Sequence, residues 1–292
     1  LRNIIKYHEW RYYILNEPVI SDFEYDTIYK KLENLEKEFP ELITNDSPTQ
    51  RVSGDLIENF NQVAHLTPML SLANSYDEGD LNEFDKQVHK FAGVDETAPL
   101  QYSVEPKFDG GTIVLVYENN QFIRAATRGD GEMGEEMTLN ARAMKSIPLS
   151  ANFSKYGIYK AEIRGEALIR KDKFESLNQK REEEGQPVFA NPRNAATGGL
   201  RMKDPAETAK REIEVFVYQL GFAVDKEGNS LLNSLKNHSD TLKILSEIGF
   251  KVPVEGQKVC KNIGEVVSFC AEWQEKRDKY AYELDGMVVK LD

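Results

Sequence analysis

Between Ile4 and Phe39 the apolar side chains recur at helical spacing. Ile4, Ile5, Tyr7, His8, Arg11 and Tyr12 give a partly amphipathic pattern, and Pro18 interrupts it. Ile28, Leu32, Leu35 and Phe39 then form an apolar stripe that Pro40 ends. Ser21 followed by Glu24 is a capping-box pair that opens the second helix. Residues 44–54 are rich in turn formers and read as a linker, which places a domain boundary near residue 60. Beyond it the period shortens. Residues 100–105 and 112–117 read as strands, Glu118-Asn119-Asn120 as a hairpin turn, and 122–127 as the returning strand. Residues 159–168, 214–222 and 286–291 are also β-rich. Helical stretches at 81–91, 172–184, 235–248 and 263–280 come between them. Locally paired strands with intervening helices predict an α+β fold: a small helical domain over 1–60, then a domain of antiparallel sheets flanked by helices over 61–292.

Composition narrows this little. The 292 residues, 40% hydrophobic and 29% charged, are enough for one large domain or a large and a small one. No run of 18 apolar residues and no signal peptide are present, so a cytoplasmic protein without a membrane partner is expected. Cys260 and Cys270 make neither a zinc site nor a disulfide framework. A net charge of −12 argues against a dominant polyphosphate-binding surface, because backbone affinity comes from clustered Lys and Arg. The chain opens without methionine and stops in a strand pattern, so it reads as a fragment. His8, His65, His89 and His238 share no metal or triad spacing and receive no role. Neither a Gly-x-Gly-x-x-Gly nor a Walker loop occurs.

Candidate chemistry centres on Lys107-Phe108-Asp109-Gly110. The lysine follows the strand 101–105, Pro106 fixes the exit, and Gly110-Gly111 permit a tight return. Its plainer reading is a solvated turn lysine. As a nucleophile it must lose its proton, which burial or nearby cations favour, and Arg128 and Lys290 are the candidates. Glu162-Ile163-Arg164-Gly165-Glu166 reads either as a salt-bridged strand edge or as a segment offering Glu166 to a ribose hydroxyl or a divalent ion. Asp285-Gly286-Met287-Val288-Val289-Lys290 reads as a turn entering an apolar strand that delivers a lysine. Residues 128–136 miss the EF-hand spacing and read as a flexible glycine loop over a ligand. Residues 191–201 read as a polar loop, with Arg193 and Arg201 available to phosphates.

Taken in order, these segments resemble the nucleotidyltransferase superfamily of ligases and capping enzymes, and within it the bacterial NAD-dependent DNA ligases. The carrying strings are Glu105-Pro106-Lys107-Phe108-Asp109-Gly110, 126–135, 162–166, 189–196, Phe216-Val217-Tyr218 and 285–290. They span nearly the whole chain. Ser21-Asp22-Phe23-Glu24-Tyr25-Asp26, with Tyr12 and Tyr13, resembles the small helical domain that NAD-dependent members carry. Asp22, Tyr25 and Asp26 share one helix face, where rings can stack on nicotinamide and carboxylates can accept from ribose hydroxyls.

The resemblance implies that Lys107 attacks the α-phosphorus of NAD, forming lysyl-AMP and expelling nicotinamide mononucleotide. Ser71, Leu72 and Glu105 would hold adenine, Tyr218 would stack on it, and Val288 would line the site. Arg128 and Lys290 would neutralise phosphate, with Glu166 near the ribose and Asp285 in support. Tyr12, Tyr13, Asp22, Phe23, Glu24, Tyr25 and Asp26 would contact the nicotinamide half. Magnesium is expected, with no ligand assigned, and zinc only in a four-cysteine domain outside this chain. AMP would pass to the 5′-phosphate of nicked double-stranded DNA, in a monomeric protein whose last lysine motif lies beyond residue 292. Gly111 and Thr112 stand where the family has an apolar residue and alanine, which predicts looser packing behind Lys107. An ATP- or GTP-using relative is the alternative.

Overall fold

The computed structural model describes residues 1–52 and 56–292. Its first elements follow the local signals closely. Glu24 N–H donates to Ser21 Oγ at 3.3 Å, and Ser21 N–H donates to the Glu24 carboxylate at 2.8 Å, which starts α2 (Asp22–Glu38). Before it, α1 (Arg2–Glu9) continues into a π-helical turn, Trp10–Ile14.

The segment read as a linker is tightly held, as far as it is described; its end, Ser53-Gly54, lies outside the described residues. Pro48–Gln50 is a 3₁₀ turn, and Ser47 Oγ donates to the buried Glu36 carboxylate at 2.7 Å. Arg51, 7% exposed, pairs with Glu9 at 3.0 Å and donates to the carbonyls of Arg142, Met144 and Ile147 at 3.0–3.3 Å. Its composition matches a linker, yet one arginine with several donors converts it into the bolt joining the helices to the body.

The body contains β1 (Gln62–Ala64), α3 (Glu78–Ala92), β2 (Tyr102–Phe108), β3 (Gly111–Glu118), β4 (Gln121–Thr127) and β5 (Met133–Glu135). There follow α4 (Thr138–Ala143), β6 (Lys160–Leu168), α5 (Lys171–Glu183), α6 (Pro192–Leu200), α7 (Pro205–Ala209) and β7 (Glu214–Val224). Last come α8 (His238–Glu247), β8 (Lys258–Cys260), α9 (Ile263–Lys276) and β9 (Leu284–Leu291). Three antiparallel sheets result, in the orders β4-β3-β6-β7, β8-β2-β9 and β1-β5. The expected α+β class holds.

The larger sheet carries the main core: Ile113, Leu115 and Tyr117 of β3, Ile163 of β6, and Val215 and Val217 of β7, with Ala195, Ala196 and Leu200 of α6 also in the cluster. Each large apolar side chain buried here contributes about 1.5–3 kcal/mol. Asn119 and Asn120 take positive φ (49° and 66°), as the tight β3–β4 hairpin requires.

Three expectations change. Lys107 lies within a strand, because β2 runs on through Pro106 to Phe108. β8 leaves β2 after Val104, so Pro106 needs no donor on that side. There is also no tight return at Gly110-Gly111: β2 and β3 belong to different sheets, and the chain crosses between them. The glycines serve close approach instead. A Cβ on Gly110 would lie 2.3 Å from the Ala167 carbonyl oxygen, and one on Gly111 would lie 2.9 Å from Thr197 Cγ2. At Gly110-Gly111, where the sequence predicts looser packing, the packing is tight.

Third, two supposed loops are ordered. Residues 192–200 form α6, capped by Asn191 with Pro192 at its first turn. In 128–136 a tight turn precedes β5; Asp130 accepts from the N–H groups of Glu132 and Met133 at 2.9 and 2.8 Å, and β5 pairs with β1.

Candidate functional site

Alternation along β2 puts Ser103, Glu105 and Lys107 on one face, successive members roughly 7 Å apart. β9 runs antiparallel beside it, with Lys290 opposite Ser103, Val288 opposite Glu105 and Gly286 opposite Lys107. The register then slips: Phe108 faces Leu284, leaving Asp285 as an extra residue. This bulge lies within β9, where the sequence suggested a turn before the strand. Bulges re-aim side chains, and here the Asp285 carboxylate pairs with Lys107 Nζ. Lys107 remains 38% exposed at its side chain, open to a ligand. The nearest charge to the candidate nucleophile is thus an anion, not Arg128 or Lys290.

Lys290 sits four residues along the sheet from Lys107, roughly 13 Å. Its ammonium donates to the Glu105 carboxylate at 3.0 Å and to the Tyr218 carbonyl at 3.1 Å, and lies 5.6 Å from the centre of the Tyr218 ring. Glu105, 2% exposed, also accepts from Ser103 Oγ at 3.1 Å and meets His238 Nε2 at 2.5 Å. Burial pushes the Glu105 carboxyl up, but the His238 hydrogen bond and the Lys290 charge outweigh it and hold the group below its ordinary range. Burial moves Lys290 down, opposed by Glu105. His238, given no role from sequence, is a full member of this cluster. Its signal was spatial: 133 residues separate it from Glu105.

Tyr218 belongs to the other sheet, so the cluster bridges the two. There Thr112 lies opposite Glu166 in the β3–β6 register and donates to it at 3.2 Å. The hydroxyl that departs from the family pattern is a partner for Glu166. Burial, opposed by Thr112 and by Arg193, pushes the Glu166 carboxyl up to about 7. Burial and the Glu166 charge raise the Tyr218 phenol as well.

The raised Glu166 group has a consequence for stability. The folded state keeps a proton that the unfolded chain releases near the ordinary glutamate value of 4.5. The associated stability is present below that pH and is lost as pH rises through about 7, by roughly 3 kcal/mol at most. Glu166→Gln should therefore gain stability over the parent between pH 5 and pH 8. Urea unfolding at both pH values measures this, and an unchanged difference would contradict it.

Arg128 donates to Ser71 Oγ at 3.0 Å, and its carbonyl meets His65 Nε2 at 2.9 Å. The segment leading to Ser71 is clamped: Arg164 donates to the Thr67 and Pro68 carbonyls at 2.9 and 3.0 Å, and Met69 N–H donates to the Gly131 carbonyl at 2.9 Å. Leu70 and Leu72 project from it, 86% and 60% exposed.

The helical residues form a second pocket. Tyr12, Tyr13, Asp22, Tyr25 and Asp26 line a cavity of about 310 Å³ together with His8, Pro18 and Lys145. Tyr25 is fixed by a chain of contacts, its hydroxyl donating to Glu9 at 3.1 Å and Glu9 pairing with Arg51. Burial and Glu9 raise the Tyr25 phenol. Phe23 lies outside the lining at 80% exposure, and Glu24 is engaged in the helix cap. Lys145, which no sequence signal singled out, enters from the body: its Nζ donates to Tyr13 Oη at 3.0 Å, 5.2 Å from the Tyr13 ring centre. No residue of β2 or β9 lines this cavity. The candidate residues thus form two half-sites.

Among the described residues no three His, Cys, Asp or Glu side chains gather to hold a metal ion, and no helix is long and apolar enough to cross a membrane.

Two antiparallel sheets joined through Lys290 and Tyr218, with a strand-borne lysine and a buried carboxylate–lysine pair, are the arrangement expected of a nucleotidyltransferase domain. Comparison with known proteins specifies it. Residues 57–292 match the family model of the NAD-dependent DNA ligase adenylation domain, and residues 1–53 match that of the DNA ligase-like N-terminal NAD+-binding domain. The chain belongs to the NAD-dependent DNA ligase adenylation domain family. It is 58% identical over its whole length to the DNA ligases of Sulfurihydrogenibium sp. strain YO3AOP1 and Persephonella marina, and 51% to that of Aquifex aeolicus. It spans 41%, 41% and 39% of the length of those relatives.

Proposed function

We propose that this chain carries out the adenylation step of NAD-dependent DNA ligation. The Lys107 amine attacks the α-phosphorus of NAD; a nitrogen–phosphorus bond forms, the bond from that phosphorus to the bridging oxygen breaks, and nicotinamide mononucleotide leaves with the oxygen. The amine's proton passes to solvent, to which Lys107 and Asp285 are both open. The Asp285 carboxylate accepts from the Lys107 amine, and its role is to orient it.

The observation that carries this reading is the shared face of β2. It holds Lys107 two residues from Glu105, an acceptor-only carboxylate that suits the exocyclic amine of adenine. Tyr218 supplies a ring to stack on the base, with Val288, Ser71 and Leu72 around it. The contact of Lys290 with Glu105 and the Tyr218 ring supports a role beside the base, at the far end from Lys107. Glu166 accepts from a ribose hydroxyl, and Arg128, released from Ser71, meets phosphate. The pocket of Tyr12, Tyr13, Asp22, Tyr25 and Asp26 takes the cationic nicotinamide ring between aromatic faces and carboxylates. In this reading one dinucleotide engages both half-sites, its nicotinamide end in the helical pocket and its adenylate end beside β2. Among the described residues none forms a cage for magnesium; the ion would be held by the donor's phosphate oxygens and water, which suits an ion that dehydrates reluctantly.

In the longer protein, AMP then passes to the 5′-phosphate of a DNA nick and the 3′-hydroxyl displaces it. The test is incubation with adenylate-labelled NAD or ATP plus magnesium. Covalent label from NAD and not from ATP is expected. Label from ATP alone would contradict the choice of donor.

A further inference from the structure

The contacts of His238 deepen this reading, on which they rest. His238 opens α8, its side chain only 15% exposed. That helix end is anchored beside β9: the N–H and hydroxyl of Ser239 donate to the two Asp292 oxygens at 2.7 and 2.8 Å. The anchor brings His238 Nε2 to 2.5 Å from Glu105 Oε1 and 3.0 Å from Lys290 Nζ. An ammonium only donates and a carboxylate only accepts, so the nitrogen this close to Glu105 carries a hydrogen and donates it to Oε1. Ser103 donates to the same oxygen, and Lys290 takes Oε2. With donors from three sides, the carboxylate has one orientation and one hydrogen-bonding sense.

That sense matters for the base. Adenine presents an amino donor at the position where hypoxanthine and guanine present a carbonyl oxygen. A fixed acceptor pairs with the first and opposes the second, whereas a carboxyl group free to rotate or to take a proton could satisfy either. We propose that His238 is a positioning residue that orients Glu105 as an acceptor and so makes the site select an adenine-bearing dinucleotide. It touches neither the phosphorus nor Lys107. Its loss weakens binding and discrimination while leaving the attack itself nearly unchanged.

The experiment measures self-adenylation, or transfer of the corresponding inosine monophosphate, with NAD and with nicotinamide hypoxanthine dinucleotide. The parent protein, His238→Ala and His238→Gln are compared, the folding of each checked by thermal melting. In His238→Ala the KM for NAD should rise roughly tenfold with kcat within about threefold, and preference for NAD over the hypoxanthine analogue should fall roughly tenfold. His238→Gln keeps a side-chain N–H donor and should recover most of the preference. A preference unchanged in His238→Ala, or a loss confined to kcat, would overturn the proposal. If His238→Ala does not fold, the glutamine variant decides: a folded His238→Gln protein whose preference for NAD falls roughly tenfold overturns it. Absence of an adduct from NAD in the parent protein would instead bring down the adenylation reading itself, and this proposal with it.

Discussion

Lys107→Ala is expected to form no covalent adduct with NAD, a loss on the order of 10³-fold or more, because no other group replaces a missing nucleophile. The same change should leave the fold intact. The Lys107 side chain is 38% exposed and pairs with an Asp285 carboxylate that is 59% exposed, and exposed pairs contribute about 0–1 kcal/mol. Its melting temperature should therefore stay close to that of the parent. Lys107→Arg sharpens the test. Arginine keeps the charge and can keep the contact with Asp285, but it stays protonated at any working pH and cannot attack phosphorus. It should be as inactive as the alanine variant. Activity in either variant, read by intact-protein mass after incubation with NAD, would place the nucleophile elsewhere.

The second large effect concerns the helical pocket. Asp26→Ala should lower adenylation from NAD by about one to two orders of magnitude, since a charged hydrogen bond or ion contact is worth about 1.5–3 kcal/mol. Within the proposed ligation reaction it should spare sealing of a nick that already carries AMP, because that step uses no nicotinamide. Asp26 is exposed, which makes the substitution quiet for folding. Tyr25 is different: its hydroxyl is held by Glu9, and Glu9 by the Arg51 bolt. Tyr25→Ala should lose both NAD reactivity and stability, whereas Tyr25→Phe keeps the ring and should retain much of the reaction. Equal losses in the NAD and pre-adenylated assays for Asp26→Ala would make the segment structural only.

What the sequence made legible was local. Ser21 and Glu24 announce their helix because a capping box is complete within four residues. Asn119-Asn120 announces its hairpin because left-handed backbone selects such residues. The two-residue period of β2 aligns Ser103, Glu105 and Lys107 on one face without any partner strand. An alternation with one buried face is not what forms, however: both faces are buried from Tyr102 to Pro106. What stayed hidden depends on distant chain. Nothing local distinguishes a hairpin return at Gly110-Gly111 from a crossing between sheets; the difference lies in what Ala167 and Thr197 place against them. The Asp285 bulge exists only in register with β2, and His238 gains its place from the Ser239–Asp292 contact. Residues 191–201 look like a loop because their glycines and asparagines are poor helix formers. Gly199 packs so closely on Ile213 that a Cβ would lie 2.5 Å from its Cδ1, so tertiary contact overrides propensity there.

In the proposed reaction a strand-borne lysine becomes an AMP carrier at the expense of NAD. This is tested most directly by incubating the protein with NAD and magnesium, then mapping the adduct by peptide mass spectrometry while quantifying released nicotinamide mononucleotide. AMP is expected on the peptide containing Lys107, with one equivalent of nicotinamide mononucleotide per adduct. AMP on any other residue, or an adduct formed without nicotinamide mononucleotide release, would contradict it.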